Sequence, residues 1–442
     1  MVSLAVAMGV GRFAFTPLFP LMVRDGLLSG ESGALIAASN YLGYLVGALV
    51  AARLRVQPAM LLALGLISTV AVTAAVGGTS SIPLWVALRF LAGVLSAWTL
   101  VATSAWGLGW LASLGRPHLA GAVFAGVGLG IAGAGLFCLV AADPHVSSLR
   151  MWVQLAGWAG IATLFPLLVV WILPASVARP AELPAGQAPR KPPVRTACLV
   201  ACYTLFGFGY ILPATYLPAL ARQLVDDPQV FGLAWPLFGL AAAASTIAVS
   251  WGLQAANRLR VWAASHLLMV VGVLLPCVWA SLPSVTIAAL LVGGTFMVIT
   301  MLAMQEARAR AEGNATLALG RMTAGFAPGQ LLGPLASAAI GRFTDDFGTA
   351  LNHALVLAGA GLLLSAFYLW REARQPPEKP RYPAARDQRT GSGRPGGVPE
   401  NADRPRLPEQ PEAGRSLRPD PRPLPMKHVH WLLAVLPAAA LP

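Results

Sequence analysis

The chain has 442 residues, 56% of them apolar and only 11% charged, with a mean hydropathy of +0.66. A soluble globular domain carries about 25% charged residues, so this composition excludes a water-soluble enzyme, a DNA-binding module and a mostly disordered chain. The net charge of +13 sits mainly at the ends of apolar runs, which is a membrane-topology pattern rather than a nucleic-acid footprint.

Apolar runs long enough to cross a hydrocarbon core fall near 3–23, 34–52, 59–78, 82–106, 119–141 and 151–173. A Pro- and Ala-rich basic stretch follows at 174–196. Six more runs lie near 197–220, 230–252, 261–281, 284–304, 317–340 and 350–370. Backbone groups in lipid must pair within their own segment, so each run predicts a helix. The first run lacks a basic leader and an A-x-A site, so no removable signal peptide is expected. Residues 371–425 hold 13 prolines and predict a disordered tail. The last apolar run, Trp431 to Pro442, is too short to span; it lies at the interface or has no role. The expected fold is therefore an all-α membrane protein of twelve helices. Its parts are 1–173, a six-helix bundle; 174–196, a linker; 197–370, a second six-helix bundle; and 371–442, a Pro/Arg-rich tail.

Placing the N-terminus inside puts 11 basic loop residues on the inner side, among them Arg53, Arg116, Arg258 and Arg308, against four on the outer side. That is a positive-inside bias, and it makes both termini cytoplasmic. The halves also look like copies. Gly47 to Arg55 and Gly252 to Arg260 share G-x-x-x-A-x-R-L-R, at an offset of 205. Gly121, Ala125, Gly126 and Gly130 lie 199 before Gly320, Ala324, Gly325 and Gly329. Phe13-Ala-Phe15 and Phe208-Gly-Tyr210 match more weakly. With six helices between equivalents, this predicts a parallel repeat about an axis normal to the membrane.

No phosphate-binding loop, nucleophile elbow or H-E-x-x-H motif occurs, and no enzymatic activity, cofactor or metal is expected. Cys198 and Cys202 read as buried thiols, because no further ligand sits nearby. All carboxylates fall in loops, at helix ends or in the tail, with Glu306 nearest the membrane. The interior charges are positive. Arg12 lies mid-way along the first helix and Arg89 two turns into the fourth; each either faces a polar, anion-attracting cavity or caps carbonyls at a helix break. Pro17 and Pro20 supply such a break. Arg321 can snorkel to the inner surface. The glycines Gly126, Gly128, Gly130, Gly133 and Gly135, and the stripe Gly325, Gly329, Gly333, allow close helix packing that is compatible with gating. Thr323 and Gln330 share a face away from that stripe, and the buried amide needs a partner from substrate or another helix. Asn40, Tyr41 and Tyr44, and the aromatics around Tyr210, either pack or line a ligand.

Three stretches are similar to a known family: Gly9-Val-Gly-Arg12-Phe-Ala-Phe15-Thr16-Pro17-Leu-Phe-Pro20, Ser39-Asn-Tyr-Leu-Gly-Tyr44, and Thr323-Ala-Gly-Phe-Ala-Pro-Gly-Gln330-Leu-Leu-Gly-Pro334. They resemble the uncharacterised YbfB/YjiJ-type transporters of the major facilitator superfamily over about residues 1–370. Arg89 and Gly93 match that superfamily's helix-four motif. Gly126 to Gly135 partly match the helix-five motif of its antiporters, with Ile131 in place of the usual Pro, and Ala51 stands where the loop motif carries Asp. The resemblance implies a monomeric secondary transporter of a small molecule in the bacterial cytoplasmic membrane. It implies rocker-switch access with helices one, four, seven and ten lining the path, and export by proton antiport is the preferred mode. The substrate and coupling residues expected are Arg12, Phe15, Thr16, Asn40, Tyr41, Tyr44, Arg89, Tyr210, Thr323 and Gln330. Pro17, Pro20, Gly93, Gly126, Gly130, Gly325 and Gly329 are the expected packing and gating positions. The alternative is a non-transporting receptor or scaffold that uses the basic tail.

Overall fold

Each of the twelve long apolar runs becomes a helix in the computed structural model, which describes residues 1–54, 56–141, 143, 145–173, 193–224, 232–311, 314–341 and 347–374. In chain order these are α1 (2–24), α2 (Gly30–Arg53), α3 (Pro58–Gly77), α4 (Ile82–Ser113), α5 (Ala120–Ala141) and α6 (Ser148–Ile172). The second set is α7 (Pro193–Leu224), α8 (Ala234–Gly252), α9 (Arg258–Val278), α10 (Leu282–Ala309), α11 (Ala315–Gly341) and α12 (Phe347–Glu372). They lie in one compact unit, Met1–Pro380. Most of the linker and of the tail, and the run 431–442, lie outside the described residues.

The starts are set by local chemistry. Ser29 caps α2, its side chain accepting from the Ser32 N–H at 3.2 Å. Asn257 caps α9 through Leu259 N–H at 2.9 Å, and Pro58, Pro83 and Pro283 sit in the first turns of α3, α4 and α10. There the missing N–H costs nothing, because the first amides of a helix have no partner within it. α4 and α10 run past the expected ends, to Ser113 and Ala309. Partners hold those extra turns. Glu306 pairs with Arg258 at 2.7 Å and with Arg310 at 3.0 Å, tying α10 to α9.

Two expectations need correction. α1 is not a uniform helix: Ala5–Phe13 is π-helical and Phe15–Arg24 is α-helical. Nor does the G-x-x-x-A-x-R-L-R repeat occupy equivalent places. Gly47–Arg53 lies inside α2, whereas α8 stops at Gly252 and Arg258 opens α9, because the Asn257 cap restarts the helix.

The other repeat is structural. Helix pairs in the first half (α1 with α5, α2 with α4, α3 with α4, α3 with α6) recur six helices later as α7 with α11, α8 with α10, α9 with α10, and α9 with α12. The seams between halves are α2 with α11 and α5 with α8, which exchange under the same rule. Gly126 and Gly130 press on Met1, Ala5 and Gly9 of α1, while their counterparts Gly325 and Gly329 press on Val200, Thr204 and Phe208 of α7. Gly121 meets Thr246 and Ser250 across one seam, and Gly320 meets Ala52 across the other. At the acid-rich end, Asp25 accepts from Ser148 N–H at 2.6 Å and pairs with Arg24 at 2.8 Å. Burial works against its charge, but the bonds from Ser148 and the Arg24 guanidinium hold the carboxyl below its ordinary range.

Candidate functional site: a buried arginine among aromatic rings

Among the described residues, eleven of the twelve helices are long and apolar enough to cross a bilayer by themselves. The exception is α11, with Arg321, Thr323 and Gln330 and the internal prolines Pro328 and Pro334. A helix this polar has to find partners inside the bundle. Gln330, fully buried, finds Arg12: the Arg12 Nη2 donates to the Gln330 Oε1. This bond joins α1 in the first half to α11 in the second.

The Arg12 guanidinium also lies over the Tyr44 ring at 3.7 Å from its centroid, with Phe13 at 5.4 Å and Tyr41 at 6.0 Å. Cation–π attraction of this kind strengthens once water is removed, and Arg12 is 3% exposed. None of the described ion pairs reaches it.

Arg89 is as buried but differently employed. Its Nη1 donates to Gly11 O at 2.7 Å and its Nη2 to Arg12 O at 2.5 Å. Pro17 has no N–H to offer the carbonyls of Phe13 or Arg12, and the π-helical stretch displaces the regular ladder there. Arg89 donates to two carbonyls of this stretch, the geometry of a cap at a helix break. The Arg89 guanidinium also lies 5.3 Å from the Phe15 ring and 5.9 Å from the Trp152 ring. Asn40 in turn donates from Nδ2 to Arg89 O at 2.9 Å. Gly93, one turn on, lies against the backbone of Asn40 and Tyr44, and Gly43 lies against Phe90. Asn40, Arg89 and Gly93 thus form one α1–α2–α4 joint.

The remaining expected residues divide. Tyr210 joins the centre through rings: it stacks on Phe296 at 4.3 Å and 8°, and lies 6.2 Å from Phe326. Thr323 does not reach the centre with its hydroxyl, which donates back to Leu319 O at 2.8 Å. Thr16 is half-buried, and Arg321 is exposed at the basic end. Tyr216 falls where side chains are outside the described residues. Cys202 is buried near the Ser365 carbonyl.

Sequence reasoning named Phe13 only in a repeat and Phe206 only among the aromatics around Tyr210, and it missed the rest of the wall: Trp235, Phe238, Phe296 and Phe326. These lie in separate apolar runs from the first and seventh helices, and only packing gathers them. Phe326 did carry a signal, standing inside the Thr323–Pro334 motif. Phe13 is 6.0 Å from Phe296 and 6.4 Å from Trp235, so α1, α8 and α10 meet here. The buried polar atoms without a hydrogen-bond partner among the described residues include Arg12 Nε and Nη1, Gln330 Nε2, Tyr210 Oη and Trp235 Nε1. Each can donate, and the nitrogens can only donate.

Six helices whose neighbours recur six helices later, around a charged centre shared by both halves, put the chain among the membrane transporters of the major facilitator superfamily. Within it, the chain belongs to the family of the uncharacterised MFS-type transporter YbfB, which matches residues 4–369. The fold is also similar to the crystal structure of the human organic anion transporter MFSD10 (TETRAN): TM-score 0.63, 18% identity, over 83% of this chain and 97% of that one. No curated protein matches the sequence.

Proposed function

We propose that this transporter moves a small organic anion, held at Arg12, by alternating access of the halves 1–173 and 197–370. One observation carries the reading: the unpartnered buried groups around Arg12 offer hydrogens and the site holds no carboxylate among the described residues. A guanidinium keeps its charge at any physiological pH, and an anion is the ligand that both neutralises it and accepts from its neighbours. Arg12 and Gln330 come from opposite halves, so a ligand on both senses their relative position.

The basic ends of the helices face the cytoplasm in this reading, by the positive-inside rule, and the membrane is the bacterial cytoplasmic one. The direction is export. An inside-negative potential drives a univalent anion outward by about 2.3 kcal/mol per 100 mV; proton antiport, expected from the helix-five glycines, would add to that drive. The protein works as a monomer.

The test is flux in reconstituted vesicles, with an imposed potential and a panel of organic anions. A hydrogen bond to a charged group contributes about 1.5–3 kcal/mol. Arg12→Ala should therefore cut flux by roughly tenfold or more, and Arg12→Lys should retain part of it. Wild-type flux in both variants would overturn the assignment.

A further inference from the structure

The anion reading gives the substrate a charge; the wall beside Arg12 gives it a shape, and the inference below rests on that reading. Ring faces are prominent among the neighbours, and several of the rings are layered. Tyr203 lies 28° from Phe206 and 29° from Phe326. Phe206 lies 32° from Phe326 and 31° from Phe296, and Tyr210 lies 30° from Phe326 and 8° from Phe296. Centroid separations among these pairs run from 4.3 Å for Tyr210–Phe296 to 6.2 Å for Phe206–Phe296. Neighbouring rings among these five, from α7, α10 and α11, are thus inclined to one another by 8° to 36°. Ring quadrupoles favour offset layers of this kind, which attract beyond the apolar area they cover.

Polar donors stand one ring away from that stack: Arg12 lies over Tyr44, whose ring is 6.3 Å from Phe326, and Trp235 lies 6.4 Å from Phe13, whose ring is 6.0 Å from Phe296. Tyr210 Oη and Gln330 Nε2 belong to residues with no exposure, Arg12 is 3% exposed and Trp235 6%, and all four lack partners for these atoms. A flat guest with an acidic group on its rim satisfies both features at once. An aliphatic acid of the same size would meet the donors but leave the ring faces with poorer contact.

We infer that the substrate is a planar aromatic carboxylate. Its carboxylate is held by Arg12 and Gln330, and its ring adds a layer to the Tyr210–Phe296–Phe326 stack.

The test is binding to the purified full chain in detergent, by calorimetry, with benzoate, cyclohexanecarboxylate and benzamide, and with 2-naphthoate beside its fully hydrogenated counterpart. Each aromatic acid should bind about two- to tenfold tighter than its saturated partner, the value of one aromatic pair. Benzamide should bind far more weakly than benzoate. Phe296→Leu and Phe326→Leu, both made in case one fails to fold, should bring each aromatic and saturated pair within twofold while keeping carboxylate binding. Equal affinity within the pairs in the wild type overturns the aromatic class and leaves the anion reading standing. Benzamide binding as tightly as benzoate overturns the anion reading itself. Failure of both benzoate and 2-naphthoate to bind overturns the inference.

Discussion

Arg12 and Arg89 are one residue type, one hydrogen bond apart, and their surroundings give them different tasks. Arg89 spends both Nη groups on the carbonyls of Gly11 and Arg12 and leaves Nε without a partner; Arg12 spends one Nη on Gln330 and leaves Nε and Nη1 without a partner. The first arrangement is structural. Removing it orphans two buried carbonyls, at about 1–3 kcal/mol each. Arg89→Met should therefore lower yield and melting temperature, read by fluorescence-detected size exclusion after heating. Removing Arg12 leaves Gln330 one bond short but also removes a buried charge that is costly in lipid. Arg12→Met should hold stability within about 1 kcal/mol of the parent, because those two effects offset each other. If it melts as early as Arg89→Met, the division of labour is wrong. From sequence the two arginines were indistinguishable, since either cavity or cap suited both. The choice between those roles lies in which carbonyls sit opposite, and no spacing along one helix reports that.

At the scale of helices, much was legible. A bilayer forces each long apolar run to pair its own backbone, so run length alone gave twelve helices and most of their ends to within about four residues. The glycine stripes were legible as close-packing faces, and their partners were not. α5 turns Gly126 and Gly130 to α1 but Gly121, Gly128 and Gly135 to α8, so one glycine-rich run serves two interfaces. The π-helical stretch of α1 was also hidden, because two of its carbonyls are met by Arg89 from α4, outside the run itself. These contacts make the glycines unequal. A methyl at Gly93 would run into Asn40 O and the Tyr44 N–H, the latter at 2.7 Å, whereas at Gly133 it meets nothing within 4 Å. Gly133→Ala should be neutral or stabilise by about 0.5–1 kcal/mol, from the helix preference for Ala over Gly. Gly93→Ala, pressed into backbone that cannot yield, should cost about 1–3 kcal/mol. Melting curves of the two variants side by side check this; equal melting temperatures would mean that α2 and α4 are not in contact there.

The described crossings between the halves are polar at the basic end and apolar near the acid-rich end. At the basic end, Arg308 of α10 donates from Nη1 to Ala105 O of α4 at 2.9 Å. Ser250 of α8 bridges the other seam, its hydroxyl donating to His118 O at 2.5 Å and accepting from Gly121 N–H at 2.9 Å. Near the acid-rich end, the contacts described between α5 and the start of α8 are apolar, Leu139 on Gly232 and Gly135 on Pro236. Rocking that opens the basic end must break the polar crossings and can leave the apolar seam to slide. Each crossing contributes about 0.5–1.5 kcal/mol net. Arg308→Ala with Ser250→Ala should therefore shift the balance toward the state open at the basic end by about 5- to 150-fold, the range that 1–3 kcal/mol gives. Spin labels at Arg53 and Arg260, exposed positions in opposite halves, would report this by pulsed dipolar spectroscopy in a background with all four cysteines replaced. The double variant should gain a longer distance that the parent lacks. An unchanged distribution would show that apolar packing alone holds this end shut, and that the polar crossings do not set the conformational balance.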